Sequence, residues 1–322
     1  MSRRQWLLSL GAATVLPSRV LGGQRPDGPL ALRSLNHVHL IVSDLKRSIA
    51  FYQRLFGMPL AGVQGVERDW RKPVVPMLAI GSGPQFISFS EGAGRGDGRD
   101  RIDHFGFGMS GFDADAVARA LTSHGIHSDI RMRADSSPPV AELKFRDPDN
   151  NIVQIQDATY CGGSGKLGDR CVNQAAPRSD GPLPIPVKTL NHLTVVVADV
   201  DRAVAFYQRV FAMRVQANQG TEADWSRKVL PALGIGGGPQ FLAFTKGPAG
   251  RLDHFCLGIE RFDSTRVVRQ LAEHGIKAGV RLRRDSEPPS EELMFSDPDG
   301  IRVQLQDVSY CGGQGRLGNG CS

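Results

Sequence analysis

The sequence lacks the marks of several protein classes. No apolar run reaches the roughly 18 residues that a membrane-spanning helix requires. Aromatic residues make up only 7% of the chain, and neither sign of charge dominates, since 39 Lys and Arg face 33 Asp and Glu for a net charge of +6. The basic residues are scattered rather than arranged in a stripe, which argues against nucleic acid binding. A chain of 322 residues with 40% hydrophobic residues is instead typical of a globular protein of about two domains.

The first residues are typical of an export signal. Arg3 and Arg4 precede a short, weakly apolar segment at 7–16, a pattern that resembles twin-arginine signals. We interpret residues 1–28 as a signal and leader. This predicts passage through the twin-arginine export machinery to the periplasm or the outside of the cell, with no membrane association afterwards. The alternative is a frayed, slightly basic tail.

Cysteine is scarce, with five residues in the chain. Four of them form two pairs of equal spacing in Gly-rich surroundings, Cys161 with Cys171 and Cys311 with Cys321. In an oxidising compartment this spacing predicts two small disulfide loops. Thiolate metal ligation is the alternative, although the spacing is not that of a zinc site. The fifth, Cys256, lies in an apolar segment and is expected to be a buried thiol.

The two halves of the chain repeat each other. Four segments return in the same order: 35–37 (Leu-Asn-His) as 190–192, 51–54 (Phe-Tyr-Gln-Arg) as 206–209, 103–105 (Asp-His-Phe) as 253–255, and 147–149 (Asp-Pro-Asp) as 297–299. This predicts two similar domains, at 33–171 and 188–322, each ending in a Gly/Cys tail. The Pro-rich segment 172–187 is expected to be a stiff linker between them.

Each domain divides again into two similar units. His37 opens an alternating apolar strand, Asp44 is a favourable helix N-cap, and apolar residues at helical spacing follow until Gly57. Short strand-like segments come after this helix, and the same order returns from His104 onwards. The repeating unit is therefore predicted to be βαβββ, with four such units in an α+β chain.

This pattern resembles the vicinal oxygen chelate superfamily, which includes glyoxalase I, the bleomycin-resistance proteins and the extradiol dioxygenases. The resemblance rests on residues 37–56, 102–105 and 147–154 and on their counterparts in the second half. It implies two tandem domains, in each of which a pair of βαβββ modules curls into a cupped mixed sheet. It says little about the substrate, because one fold hosts many reactions.

In that family a divalent metal lies at the base of the cup, held by the first, fifth and eighth strands. The resemblance implies two sets of ligands: His37, His104 and Gln154, and His192, His254 and Gln304. The family more often has Glu where this chain has Gln, and a neutral amide should bind the metal more weakly. Two imidazoles and one oxygen suit several divalent transition metals, among them Fe, Mn, Zn and Cu. A metal-free cup is the alternative.

Other polar and aromatic residues are predicted to face the cups. The candidate substrate-binding residues are His39, Trp70, Arg131, Arg133, Trp225, Arg281 and Arg283. The candidate catalytic acids and bases are Glu142, Tyr160, Glu292 and Tyr310. Each has a purely structural interpretation as well: an exposed charged strand for the arginines, packing for the aromatic residues, and a surface position for the glutamates.

The residues and the resemblance together predict an exported, metal-dependent lyase, isomerase or dioxygenase. Its substrate would be a small oxygen-rich molecule, aromatic or not, whose oxygens chelate the metal. The alternative is a metal-free protein that binds or sequesters small molecules, like the bleomycin-resistance proteins; a structural or partner-binding role of the duplicated domains comes third. The repeated histidines favour the enzyme, because binding alone requires no imidazole facing the cup. The oligomeric state stays open.

Overall fold

The computed structural model describes residues 29–65, 74–92, 101–178, 180–220, 230–248 and 250–322. The predicted signal at 1–28 and the two tryptophans Trp70 and Trp225 lie outside the described residues. No helix in the described ranges is long and apolar enough to cross a membrane.

The two halves have the same order of helices and strands. In the first half these are β1 Leu32–Val42, α1 Leu45–Phe56, β2 Leu60–Gln64, β3 Val75–Ala79, β4 Phe86–Glu91, β5 Ile102–Met109, α2 Ala114–Ser123, β6 Ser128–Arg133, β7 Val140–Arg146 and β8 Ile152–Asp157. In the second they are β9 Thr189–Val197, α3 Val200–Phe211, β10 Val215–Gln219, β11 Leu230–Gly234, β12 Phe241–Lys246, β13 Arg251–Ile259, α4 Ser264–Glu273, β14 Gly279–Arg283, β15 Ser290–Ser296 and β16 Arg302–Asp307.

Each half forms one mixed sheet of eight strands. The strand orders are β2-β3-β4-β1-β5-β8-β7-β6 and β10-β11-β12-β9-β13-β16-β15-β14. The two βαβββ units of a domain meet at their first strands, since β1 pairs antiparallel with β5, while β4 runs parallel to β1 and β8 parallel to β5. The predicted fold class, α+β with two tandem domains and a mixed sheet in each, is confirmed.

The helices begin and end where local sequence dictates. The Asp44 side chain accepts a hydrogen bond from the backbone N–H of Arg47 at 2.9 Å and so caps α1. Gly57 ends this helix in the left-handed region at φ 67°, which costs glycine nothing. The equivalent helix α3 ends at Ala212 with φ 52°, a conformation in which a Cβ is disfavoured.

The two domains exchange buried contacts reciprocally. The Tyr52 hydroxyl of α1 donates to Asp297 Oδ2 of the second domain at 3.0 Å, and the Tyr207 hydroxyl of α3 donates to Asp147 Oδ2 of the first, also at 3.0 Å. Burial raises the pKa of Asp297 to about 6 and also raises that of Asp147. One continuous apolar core includes residues of both domains, so the interface is an extension of the core.

The cysteines behave as their spacing predicts. Cys161 is bonded to Cys171 and Cys311 to Cys321, which confirms the two disulfide loops and excludes thiolate ligation by these residues. Cys256 is a free thiol and fully buried. Disulfides are typical of proteins in oxidising compartments.

Candidate functional site

One face of each sheet carries the predicted metal ligands. In the first domain His39 lies opposite His104, and Gly106 lies between His37 on β1 and Gln154 on β8. Directly opposed residues and residues two apart point to the same face, so all of these share it. The ring centroids of His37 and His104 are 5.6 Å apart. We call this face of the first domain cup 1.

The second domain repeats the arrangement, and we call its face cup 2. Here Thr194 lies opposite His254, and Cys256 lies between His192 and Gln304. The ring centroids of His192 and His254 are 5.7 Å apart. The structure therefore brings together each predicted pair of histidines with its glutamine.

Hydrogen bonds fix the first histidine of each cup in one tautomer. Asn36 donates its amide N–H to the carbonyl of Tyr160 at 2.9 Å, so its Oδ1 is left to accept from His37 Nδ1 at 2.9 Å. Asn191 holds His192 in the same way. Burial lowers the pKa of both histidines well below the ordinary value, so each is a neutral imidazole with the lone pair on Nε2.

Each glutamine lies on the same face as its histidine. Against the larger effect of burial, Gln154 acts to raise the pKa of His37, and Gln304 does the same for His192. The amide nitrogen of Gln304 is buried and has no partner among the described residues. An amide also carries an oxygen with lone pairs, so each glutamine can supply a third donor atom to a cation.

The second histidine of each cup is paired with a carboxylate. His104 Nδ1 lies 2.8 Å from Asp103 Oδ2, and His254 Nδ1 lies 2.7 Å from Asp253 Oδ2. Metal-binding histidines usually have such a partner, which orients the ring and leaves Nε2 for the metal. Although burial acts to raise it, the contacts with His254 and then Arg302 hold the pKa of Asp253 below its ordinary value, so this partner stays ionised.

The two cups differ in what meets the Nε2 atom of that histidine. In cup 1, Lys144 Nζ lies 3.4 Å from His104 Nε2. In cup 2, Met294 takes the position of Lys144, since both lie opposite the glutamine, and His254 Nε2 meets the Thr194 hydroxyl at 3.2 Å. After burial and His104, repulsion by Lys144 contributes to lowering the pKa of His37, and the same repulsion would oppose a metal cation.

These observations test whether a metal would fit. Within the described part of the chain, no three side chains of His, Cys, Asp or Glu are placed to hold a metal ion, so the third donor must be the amide. Two neutral imidazoles and one amide oxygen match the chemistry of a divalent transition metal but supply no negative charge. The donor set fits in cup 2, whereas in cup 1 an ammonium group already lies against it.

The candidate acids and bases form a buried network in each cup. The Tyr160 hydroxyl donates to Glu142 Oε1 at 2.9 Å, and Tyr310 donates to Glu292 Oε1 at 2.9 Å. Burial first, and the neighbouring carboxylate second, raise the pKa of each tyrosine, so both phenols keep their protons. The tyrosines thereby hold one oxygen of each glutamate in place.

The four candidate arginines divide into two kinds. Arg133 and Arg283 are buried, and their guanidinium groups are bound to Asp135 and Asp285 and to carbonyls of the disulfide loops. Their donors are used by the fold, so we assign them a positioning role rather than substrate binding. Arg281 pairs with Glu292 through Nε at 2.8 Å.

Arg131 and His39 differ from their counterparts in cup 2. Arg131 lies opposite Glu142, as Arg281 lies opposite Glu292, but it is exposed and has no carboxylate partner in the described ranges. His39 stacks on His104 with ring centroids 4.7 Å apart, and its two ring nitrogens each contact a serine hydroxyl at 2.9 Å. His39 therefore supports the wall of cup 1.

Three features of the cups went unnoticed in the sequence. Phe86 stacks on His37 at 4.6 Å, and Phe241 stacks on His192 at 4.4 Å. A Cβ at Gly106 would overlap the His37 ring, so only glycine leaves room for that ring. Lys144 follows Glu142 by two residues on β7, and the alternation of this strand could have placed it in the cup.

The comparisons with known proteins agree on the fold. A family model described as the Glyoxalase/Bleomycin resistance protein/Dioxygenase superfamily matches residues 34–155 and 189–305. Among curated proteins, no sequence matches the chain.

Three solved structures with a similar fold are dioxygenases by name. A catechol 2,3-dioxygenase has a TM-score of 0.60 and 17% identity, over 85% of this chain and 87% of that one. The 2,3-dioxygenase LapB from Pseudomonas sp. KL28 has a TM-score of 0.61 and 16% identity, over 86% of this chain and 92% of that one. Homoprotocatechuate 2,3-dioxygenase from Brevibacterium fuscum, in complex with 3,4-dihydroxyphenylacetate, has a TM-score of 0.62 and 16% identity, over 87% of this chain and 82% of that one. At such identities the likeness concerns the fold alone.

Proposed function

The chain belongs to the glyoxalase/bleomycin resistance protein/dioxygenase superfamily, and on that premise we propose that it is a metal-dependent enzyme acting on a small oxygen-rich substrate. One observation carries the proposal. Each cup holds two imidazoles whose Nδ1 atoms are bound by Asn or Asp, with a glutamine amide on the same face of the sheet. A cup that merely binds an organic molecule needs no such arrangement.

We place the metal in cup 2, with His192, His254 and Gln304 as the residues that would hold it. Met294 is uncharged, so cup 2 is free of the repulsion that Lys144 exerts in cup 1. A divalent transition metal bound there would act as a Lewis acid toward adjacent oxygens of the substrate.

The protein residues around that site divide the remaining work. Asn191 and Asp253 orient the two imidazoles, and Phe241 packs against His192 and keeps water from its ring face. Glu292 is the candidate base: Oε1 is held by Tyr310, while Oε2 contacts Arg281, whose side chain is 66% exposed. A substrate that displaces Arg281 would leave Oε2 to accept its proton.

Export is part of the proposal. Two disulfide loops support an oxidising compartment, and the paired arginines at the N-terminus support the twin-arginine route. That route carries folded proteins, so the metal would be loaded before export. Catechols are the first substrates to test, because the structural neighbours are named for them.

The decisive experiment is the metal content of the natively exported protein, purified without chelators and measured by mass spectrometry. We expect one transition metal ion per chain, lost in His192→Ala and retained in the matched variant His37→Ala. Metal far below stoichiometry that reconstitution with Fe, Mn, Zn or Cu does not restore would overturn the proposal. The alternative, a metal-free protein that binds small molecules, would then take its place. Two features favour that alternative: the neutral Gln in each ligand set and the ammonium group of Lys144 in cup 1.

A further inference from the structure

A cavity of about 710 Å³ opens at the junction of the two domains, where β7 and β8 of cup 1 meet α3. Part of its wall is apolar, with Ile126, Phe145, Ile152 and Phe206. The rest is rich in cations: Arg131, Lys144, Arg146 and Arg209. Such a combination of an apolar body and a few charged groups is typical of a small-molecule site.

The acids of this wall are already engaged. Asp129 pairs with His127 at 3.4 Å, Glu142 accepts from Tyr160, and Asp147 accepts from Tyr207. Among the cations, Arg131 and Arg209 have no carboxylate partner in the described part of the chain, whereas Lys144 contacts His104 and Arg146 donates to the Asn150 carbonyl. Four cations against three acids leave an excess of a single positive charge.

The equivalent cavity of the second domain has two cations, Lys277 and Arg302, and one acid, Asp297. It measures about 600 Å³ and lies between β15, β16 and α1. Met294 and Ser296 stand where the first cavity has Lys144 and Arg146. Its Arg302 is bound to Asp253 at 2.6 Å. The excess is thus one positive charge in both cavities, but Lys144 and Arg146 are particular to the first.

We propose that the first cavity binds an organic monoanion, a carboxylate on a compact apolar body. The carboxylate would contact Lys144 and Arg131, since ammonium and guanidinium groups make strong charge-assisted hydrogen bonds with it. The apolar body would lie against Ile152 and Phe206. The single excess charge favours a monocarboxylate over a phosphate. This site is separate from the metal ligands of cup 2 and requires no metal.

Calorimetric titration of the full chain tests the proposal with two probes of nearly equal shape, phenylacetate and phenylacetamide. We expect phenylacetate to bind once per chain and at least tenfold more tightly, because only the carboxylate pairs with the cations. Lys144→Met, which installs the residue of the second copy, should weaken phenylacetate at least tenfold. The matched variant Met294→Lys should leave its affinity unchanged.

Several outcomes would overturn this site. Equal affinities for the two probes, an unaffected Lys144→Met variant, or inorganic phosphate binding as tightly as phenylacetate would each contradict it. Should Lys144→Met fail to fold, Arg146→Ser at an exposed position replaces it, with a loss of about threefold expected for one outlying charge. His192→Ala separates this proposal from the proposed enzyme: it should abolish metal binding and leave phenylacetate binding intact, and loss of both would place the anion in cup 2.

Discussion

Cups 1 and 2 share a scaffold and a ligand set and differ in what surrounds it. Both have His, His and Gln on the same three strands, with the same Asn and Asp partners. Cup 1 adds Lys144 and His39 where cup 2 has Met294 and Thr194. Cup 2 adds Cys256 where cup 1 has Gly106. The duplicated fold thus preserved the donors while their electrostatic surroundings diverged.

Exchanging Lys144 and Met294 between the cups should reverse their difference in metal affinity. This is the largest effect that we expect. A unit charge about 5 Å from a metal ion costs about 3 kcal/mol per unit of metal charge at an effective dielectric constant of about 20, so a divalent ion should lose at least roughly 100-fold in affinity. Met294→Lys should therefore weaken metal binding in cup 2 by at least this factor. Lys144→Met should strengthen it in cup 1. Competition with a zinc chelator measures both, and unchanged affinities in the two variants would refute the electrostatic explanation.

The two buried carboxyls at the domain interface, Asp297 and Asp147, should contribute unequally to the pH dependence of the free energy of unfolding. A raised pKa means that the folded chain binds the proton of Asp297 more tightly than the unfolded chain does. The free energy of unfolding should therefore fall as pH rises from about 4 to about 6, by about 3 kcal/mol at most. Urea unfolding at several pH values measures this slope, and Asp297→Asn should reduce it to the part that Asp147 contributes.

Asp147 offers the matched comparison. The Asn151 amide donates to its carboxylate at 3.0 Å, whereas the second copy has Ile301 at that position and supplies only a backbone N–H. Asn151→Ile should therefore steepen the slope by raising the pKa of Asp147 further. A slope that Asn151→Ile leaves unchanged would count against the role of this amide.

The equivalent positions Gly106 and Cys256 predict a smaller effect, a loss of stability. Gly106→Cys introduces a Cβ where the His37 ring lies, and that ring is held by Phe86 and Asn36. We expect a loss of about 1–3 kcal/mol from overpacking, measured by urea unfolding. The reverse change, Cys256→Gly, should cost less, because it creates no overlap. An equal loss of stability in both variants would show that the rings of His37 and His192 have the same room, and would contradict this prediction.

A substitution at Ala212 should give the smallest effect on stability, and a stabilising one. Its φ of 52° is disfavoured for a residue with a Cβ, whereas α1 ends in glycine. Ala212→Gly should therefore stabilise the protein, by about 1 kcal/mol. The matched change Gly57→Ala should destabilise it, and a thermal melt of each variant decides.

The sequence could predict whatever repeats or alternates. The resemblance to the vicinal oxygen chelate superfamily implied that His37, His104 and Gln154 come together, and equal spacing identified the cysteine pairs. Alternation on β7 could also have placed Lys144 in the cup, but it could not have predicted the contact with His104, which lies two strands away across β8. For Arg133, alternation gives the face of the strand but not the loop that covers it. The pairing of Tyr52 with Asp297 depends on how the domains meet.

The exchanged tyrosines have a consequence for how the chain is held together. The Asp297 carboxylate depends on the other domain, since its own loop supplies donors to Oδ1 while the hydrogen bond to Oδ2 comes from Tyr52. Asp147 accepts from Asn151 of its own domain in addition to Tyr207. The linker also packs between the halves, because Ile185 is fully buried and its N–H donates to the Leu55 carbonyl at 2.8 Å. A second half produced alone would therefore leave Asp297 Oδ2 without its donor, whereas the first half would keep most donors to Asp147.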